Sequence, residues 1–155
     1  MLIEAYHKAE KSFKKNTDLY IVGQGQEEEE LKGLIQKYNL TEKIFLCGFQ
    51  KNPYAIVARC QLQVISSVAE GFSLVLREGT LLGIPAVSTI CAGPAEFIRE
   101  NDIGILTEIN VSSLAAGLVK MVNNETLYHQ KKKMAEQWGQ EYSAKKIYDS
   151  IEQLL

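Results

Sequence analysis

Two carboxylates, Glu70 and Glu78, frame the stretch with the most chemical content: Ser66-Ser67-Val68-Ala69-Glu70-Gly71-Phe72-Ser73-Leu74-Val75-Leu76-Arg77-Glu78-Gly79. Gly71 lets the backbone approach a ligand closely. Ser73 can cap a helix that follows it, and the free amides and dipole at such a helix start form an anion site. Glu78 would then lie roughly 7.5 Å along the axis from the cap. Helical side chains lean toward the N-terminus, so Glu78 points back at whatever docks there. A carboxylate at that distance suits hydrogen bonds to ribose hydroxyls while the amides hold phosphates. Glu70, in the loop before the helix, would face a sugar instead. Spacing alone leaves a blander reading open, in which Leu74, Val75, Leu81 and Leu82 make an ordinary amphipathic helix and Glu78 is simply exposed.

Other candidates carry less. Gly23-Gln24-Gly25-Gln26-Glu27-Glu28 begins like a dinucleotide fingerprint but has Glu28 where the third glycine belongs. It opens onto four glutamates, Glu27 to Glu30, that would repel a pyrophosphate, so it reads as a tight strand-to-helix turn with a dipole-matched first helical turn. Cys47, Cys60 and Cys91 are odd in number, lack metal-site spacing and sit among apolar residues. They are expected to be buried small hydrophobes, which fits a reducing cytosol. His7 and His129 fall on predicted helices with no acidic or nucleophilic partner in sequence, which points to surface or packing roles. Trp138 and Tyr142 are expected to pack. Arg77 and Lys51 are spare cations, and Arg77 is expected to point to solvent.

The elements that must position these residues follow from a chain of 155 residues, 46% hydrophobic and 23% charged. That is enough for one domain with a core of its own. A net charge of -2 gives no general attraction to nucleic acid or anionic membrane, so phosphate recognition must be local. No apolar run approaches the roughly 20 residues of a membrane span, and the amphipathic, acidic start is not expected to act as a signal peptide.

Short apolar runs alternate with amphipathic stretches. Helices are predicted over Leu2 to Lys15, Glu27 to Tyr38, briefly after Pro53, Ser73 to Leu82 and Ala95 to Glu100. From Val111 the pattern is helical, with breaks near Asn123-Asn124 and at Gly139. Strands are predicted over Asp18 to Gly23, Lys43 to Gly48, Leu62 to Ser66, Ala86 to Thr89 and Gly104 to Thr107. This alternation implies an α/β fold, a Rossmann-like parallel sheet flanked by helices, with Leu62 to Ser66 near its centre. Ligands of such sheets bind beyond the carboxyl ends of the strands. The loops to inspect are therefore Gly23 to Gln26, Gly48 to Asn52, Ser66 to Ser73 and Thr89 to Pro94.

Glu70-Gly71-Phe72-Ser73-Leu74 with Glu78 resembles the Glu-x7-Glu signature of the retaining GT-B glycosyltransferases, which include sucrose synthases and capsular and lipopolysaccharide sugar transferases. The resemblance runs through most of the chain. Leu2 to Tyr6 is similar to the first helix of that family's donor domain. Leu19 to Gly25 is similar to its strand and Gly-x-Gly turn, and Ile44 to Phe49 to its strand ending in Gly-Phe. Gly83 to Val87, Ala92 to Ile98 and Gly104 to Leu106 are similar to its later blocks.

The resemblance implies one half of a GT-B enzyme: a donor-binding domain over 1–155, with C-terminal helices over 111–155. Glu78 would bind the ribose of a UDP- or GDP-sugar, and Glu70 would contact the transferred sugar near the reacting carbon. Backbone amides of Gly71, Phe72, Ser73 and Leu74 would hold the diphosphate. Gly48, Phe49 and Gln50 would line the base pocket, and Gly93, Pro94 and Glu96 would shape the loop beside the sugar and phosphates. Transfer would retain configuration and need no cofactor or catalytic metal, because cationic side chains and the helix end stabilise the leaving diphosphate. The acceptor would be a glycan or a lipid-linked sugar, held by a second domain. The location implied is cytoplasmic, peripheral at the membrane through that domain.

There are departures from the pattern. Ser73 replaces the usual glycine, and Gly79-Thr80 the usual Ala-Met. The family's phosphate-binding Arg and Lys, on a first strand and turn before the opening helix, are not in this sequence, nor is the acceptor domain. The expectation is a donor domain truncated at its N-terminus and inactive alone. Two alternatives stay open: a related GT-B epimerase, and a non-catalytic nucleotide-sugar-binding or partner subunit of a split glycosyltransferase.

Overall fold

The computed structural model describes residues 1–142. It is an α/β domain in which every strand pairing is parallel. The order is α1 (Leu2–Glu10), β1 (Leu19–Val22), α2 (Glu28–Lys37), β2 (Ile44–Gly48), α3 (Tyr54–Val57), β3 (Gln63–Ile65), α4 (Leu74–Leu81), β4 (Ala86–Thr89), α5 (Ala92–Asn101), β5 (Gly104–Thr107), α6 (Val111–Asn123) and α7 (Glu125–Glu141). The predicted elements are therefore present, most of them trimmed at the ends. The first helix stops at Glu10 rather than Lys15. Beyond it, the chain is drawn off the helix path by contacts with α6 and α7: Lys14 N donates to Asn123 Oδ1 at 2.9 Å, and Lys15 Nζ meets Glu125 Oε1 at 2.6 Å.

The strands form two ladders, β1-β2 and β3-β4-β5. β4 is the most buried strand, and β3 ends its ladder on the side facing β1, so that it lies between β1-β2 and β4-β5 near the centre of the five strands, as expected. A cavity of about 460 Å³ lies between the starts of β1 and β3, lined by Thr17 to Tyr20 on one side and Cys60 to Leu62 on the other. Among the described residues no strand bridges these two facing edges.

α1 spans the divide. Ile3 and Tyr6 pack into the cluster with Ile35, Leu40 and Ile44, while Ala5 and Ala9 pack into the cluster with Val87, Leu114, Leu118 and Met121. A third cluster joins Ile65 and Leu76 to Phe97, Ile98 and Ile103, and fixes α4 and α5 against the second ladder.

Two further corrections concern helices. α5 begins at Ala92, not Ala95, because the first helical turn needs no intrahelical N–H and so accepts Pro94. Gly139 does not break α7. It lets α7 lie against the end of α4, where an added β-carbon would stand 2.6 Å from the Leu81 carbonyl oxygen. The part of the expected C-terminal helices over 143–155 lies outside the described residues.

Candidate functional site

The four loops at the carboxyl ends of the strands are tied together by short-range contacts. Gly48 ends β2 with φ +63, a backbone geometry that favours glycine. Its carbonyl accepts from Gly23 N at 3.0 Å, which joins the ends of β1 and β2. Gln50 Nε2 donates to the Cys47 carbonyl at 2.7 Å and folds the following loop back on β2, while Phe49 stays 66% exposed. A cleft of about 490 Å³ opens there, lined by Gly23 to Glu28, Leu46 and Gly48.

The loop between β3 and α4 is braced from β4. Buried Thr89 donates through Oγ1 to the Ser67 carbonyl, which Cys91 Sγ reaches as well, and the same Oγ1 lies 3.3 Å from the Ile65 carbonyl. Gly93 N donates to the Glu70 carbonyl at 3.3 Å. Gly93 and Pro94, expected in a loop, thus lie in the first turn of α5, where Gly93 supports the β3–α4 loop from beneath and Pro94 is buried, while Glu96 on the same helix is exposed.

Ser73 caps α4: its backbone is extended, its Oγ accepts from Leu76 N at 3.4 Å, and it is buried. The amides of Leu74 and Val75 have no intrahelical acceptor at this end, and the Leu74 and Val75 side chains are exposed. Gly71 and Phe72, just before the cap, are exposed too.

Each glutamate is half-buried and held through one oxygen. Ser67 Oγ donates to Glu70 Oε2 at 3.0 Å. The Tyr54 hydroxyl donates to Glu78 Oε1 at 2.9 Å, and this bond to the carboxylate, with its charge and then burial adding, pushes the Tyr54 pKa up. The structure therefore brings Glu70, Gly71, Phe72, Ser73, Leu74 and Glu78 around one helix start, with Gly93 beneath. Gly48, Phe49 and Gln50 stand on the neighbouring β2 loop.

Ser67 and Tyr54 were not singled out by the sequence. Ser67 could have been, since a serine three residues before a carboxylate is a local hydrogen-bonding pattern. Tyr54 could not, because it meets Glu78 across 24 residues.

Arg77 does not point to solvent. Its guanidinium carbon lies 4.1 Å from the Phe72 ring centre and 4.2 Å from that of Phe97, so it bridges the site loop to α5. Cys91 is buried, but Cys47 and Cys60 are only half-buried, and burial with the nearby Cys47 raises the Cys60 pKa. His7 stacks on Tyr38 at 4.3 Å and has Glu10 within 3.6 Å, an acidic neighbour the sequence reading passed over. His129 meets the edge of Tyr128. Trp138 packs edge-on against Phe97, with Tyr142 stacked on it. No helix among the described residues is long and apolar enough to cross a membrane.

Comparison with known proteins sharpens this picture. Residues 1–140 match the family described as "Glycosyl transferases group 1". Over its whole length the chain is 34% identical to 42% of the N-acetylgalactosamine-N,N'-diacetylbacillosaminyl-diphospho-undecaprenol 4-alpha-N-acetylgalactosaminyltransferase of Campylobacter jejuni. It is 28% identical, across 71% of its length, to 29% of the N-acetyl-alpha-D-glucosaminyl L-malate synthase of Bacillus anthracis. The chain thus spans less than half the length of these relatives. Among solved structures, the lipopolysaccharide glycosyltransferase WaaG superposes with a TM-score of 0.82 at 21% identity, over 92% of this chain and 39% of that one. Anabaena Alr3699/HepE in complex with UDP gives 0.79 at 21% identity, over 99% and 44%. With its parallel strands flanked by helices, this chain belongs to the group 1 glycosyl transferases and has the fold of half a GT-B enzyme.

Proposed function

We propose that this chain is the donor-binding half of a retaining glycosyltransferase that moves a hexosyl group from a UDP- or GDP-sugar to a glycan or lipid-linked acceptor. One observation carries the reading. Glu70 and Glu78 flank the capped start of α4, each tethered through one oxygen and each with the other oxygen available. Diphosphate docks on the amides of Gly71 to Leu74, Glu78 takes the ribose, and Glu70 faces the transferred sugar. The base lies toward Gly48, Phe49 and Gln50. In this reading the leaving diphosphate is stabilised by the helix end and by cationic side chains rather than by a metal.

Two features support a larger enzyme. Phe49, Tyr54, Val68, Phe72, Leu74 and Val75 are all exposed around the mouth of the site, where a facing domain that holds the acceptor would cover them. The cavity between β1 and β3 separates two facing strand edges, and a further parallel strand set there would have α1 as its crossover helix. A cytoplasmic enzyme meeting the membrane through the acceptor domain fits the relative that acts on a diphospho-undecaprenol substrate.

The test is a calorimetric panel of UDP-, GDP- and ADP-sugars. This chain alone should bind weakly. In this reading an Arg and a Lys outside it supply two charge-assisted hydrogen bonds to the diphosphate, and at about 1.5–3 kcal/mol each these account for roughly two to four powers of ten in affinity. Sub-micromolar binding by this chain would mean a complete module, and no binding by a protein carrying both halves would remove the donor reading.

A further inference from the structure

We infer that Tyr54 is a positioning residue for Glu78 and thereby sets the discrimination between ribose and deoxyribose in the bound nucleotide; this rests on the donor-binding reading above. Tyr54 opens α3, at the end of the loop that leaves β2. Pro53 starts this short turn: Ile56 N and Val57 N both donate to its carbonyl, at 3.0 Å each. The side chain thus stands on the same loop as Gly48, Phe49 and Gln50, and its hydroxyl reaches across to α4. The contact joins the two sides of the proposed nucleotide site at the point where the ribose must lie.

The chemistry of the pair is directional. A carboxylate only accepts hydrogen bonds, and its two oxygens offer several acceptor sites. The phenol O–H satisfies Oε1 and stops the carboxylate from rotating. Oε2 has no partner among the described residues and is left as the acceptor that a vicinal diol can use. Without the tether, Glu78 would sample several rotamers half in solvent, and only a fraction would present an oxygen to the ligand. Tyr54 itself is 45% exposed, so its hydroxyl contributes little to the core.

The test is a ligand-observed NMR titration of this chain with UDP and GDP, each beside its 2′,3′-dideoxy analogue. It is run on the unmodified chain, Tyr54→Phe, Glu78→Gln and the double variant, with melting temperatures recorded for each. The unmodified chain should prefer the ribonucleotide. Tyr54→Phe should shrink that preference by about three- to tenfold, the size of one partly exposed hydrogen bond, without lowering the melting temperature. The double variant should lose no more than Glu78→Gln alone, because the two act through one contact.

A Tyr54→Phe chain that keeps the full preference while Glu78→Gln loses it would overturn the inference and leave the donor reading intact. Equal weakening toward ribo and dideoxy forms would also overturn it, since the ring would then act only by packing. If the unmodified chain binds neither nucleotide, or does not distinguish the two sugars, the role of Glu78 falls and the inference falls with it.

Discussion

Gly93 and Gly71 meet backbone to backbone: a β-carbon on Gly93 would stand 1.7 Å from the Gly71 carbonyl oxygen. The obstacle is main chain and cannot swing aside. Gly93→Ala should therefore force the β3–α4 loop off the start of α5, at a cost of about 1–3 kcal/mol or more in unfolding free energy. Urea denaturation checks the stability, and donor affinity should fall in the same variant. An alanine that leaves both unchanged would show that the two loops are not in register as described.

The two glutamates should separate by role in a protein carrying both halves of the enzyme. Glu78→Gln should mainly raise the donor KM, because a ribose contact is the same in ground and transition states and is worth about 1–3 kcal/mol. Glu70→Gln should lower kcat more than it raises KM, since its charge would lie near a carbon that becomes cationic. Steady-state kinetics on both variants decides. Wild-type kinetics in both would reduce the motif to a capped core helix, and the opposite split would reverse the roles.

Gly79 and Gln63 share one space. The Gln63 amide lies 2.3 Å from where a β-carbon on Gly79 would be, and its Nε2 donates its two hydrogens to the Leu76 and Ile84 carbonyls at 3.2 and 2.9 Å, with Thr80 Oγ1 at 3.5 Å. Gly79→Ala gains about 1 kcal/mol of helix propensity but displaces that amide from buried partners, so it should destabilise by about 1–2 kcal/mol net. In a Gln63→Ala background the same change should become neutral or stabilising. Chemical denaturation of the four chains closes the cycle, and an unchanged sign would mean that Gln63 moves without cost.

Tyr6 gives a signature at high pH. Its hydroxyl donates to the Thr17 carbonyl, and burial, then the charges of Asp18 and Glu10, push its pKa up to about 12. An unfolded chain releases that proton near pH 10, so between these values the folded state holds the extra proton. Stability from this group is full below about pH 10 and drains as pH rises toward 12, by up to ~2–3 kcal/mol. Tyr6→Phe should flatten the alkaline fall in stability while costing about 1 kcal/mol at neutral pH. An identical alkaline slope in the variant would contradict the assignment.

Much of the fold was legible because each strand is a short apolar run and each helix an amphipathic one, so period and punctuation agreed. Apart from the start of α5, where Pro94 is tolerated in the first turn, the boundaries that failed did so through contacts far away in sequence. Lys14 and Lys15 look helical until Asn123 and Glu125 draw them off, and Gly139 looks like a break until the carbonyl of Leu81 occupies the space its hydrogen leaves. The motif around Ser73 was legible because capping and dipole chemistry are local. Tyr54 was not, because nothing near it in the chain says that Glu78 is opposite. Arg77 misled for a related reason: a cation is taken for solvent-facing unless two aromatic rings, here Phe72 and Phe97, happen to enclose it.

The division of the strands into two ladders has a consequence for how the domain comes apart. Among the described residues no backbone ladder couples β1-β2 to β3-β4-β5. Their mutual placement rests mainly on α1 and the turn after it, with Ile3 and Tyr6 in one cluster and Ala5 and Ala9 in another, and on the exposed Tyr54–Glu78 hydrogen bond at the other end. A helix of 9 residues is marginal by itself and persists only while both faces stay packed. The domain should therefore open as two cooperative units with α1 as their main clasp. The amides of β1 and β2 should exchange with solvent at a lower free energy of opening than those of β4, and exchange of α1 should track the weaker unit.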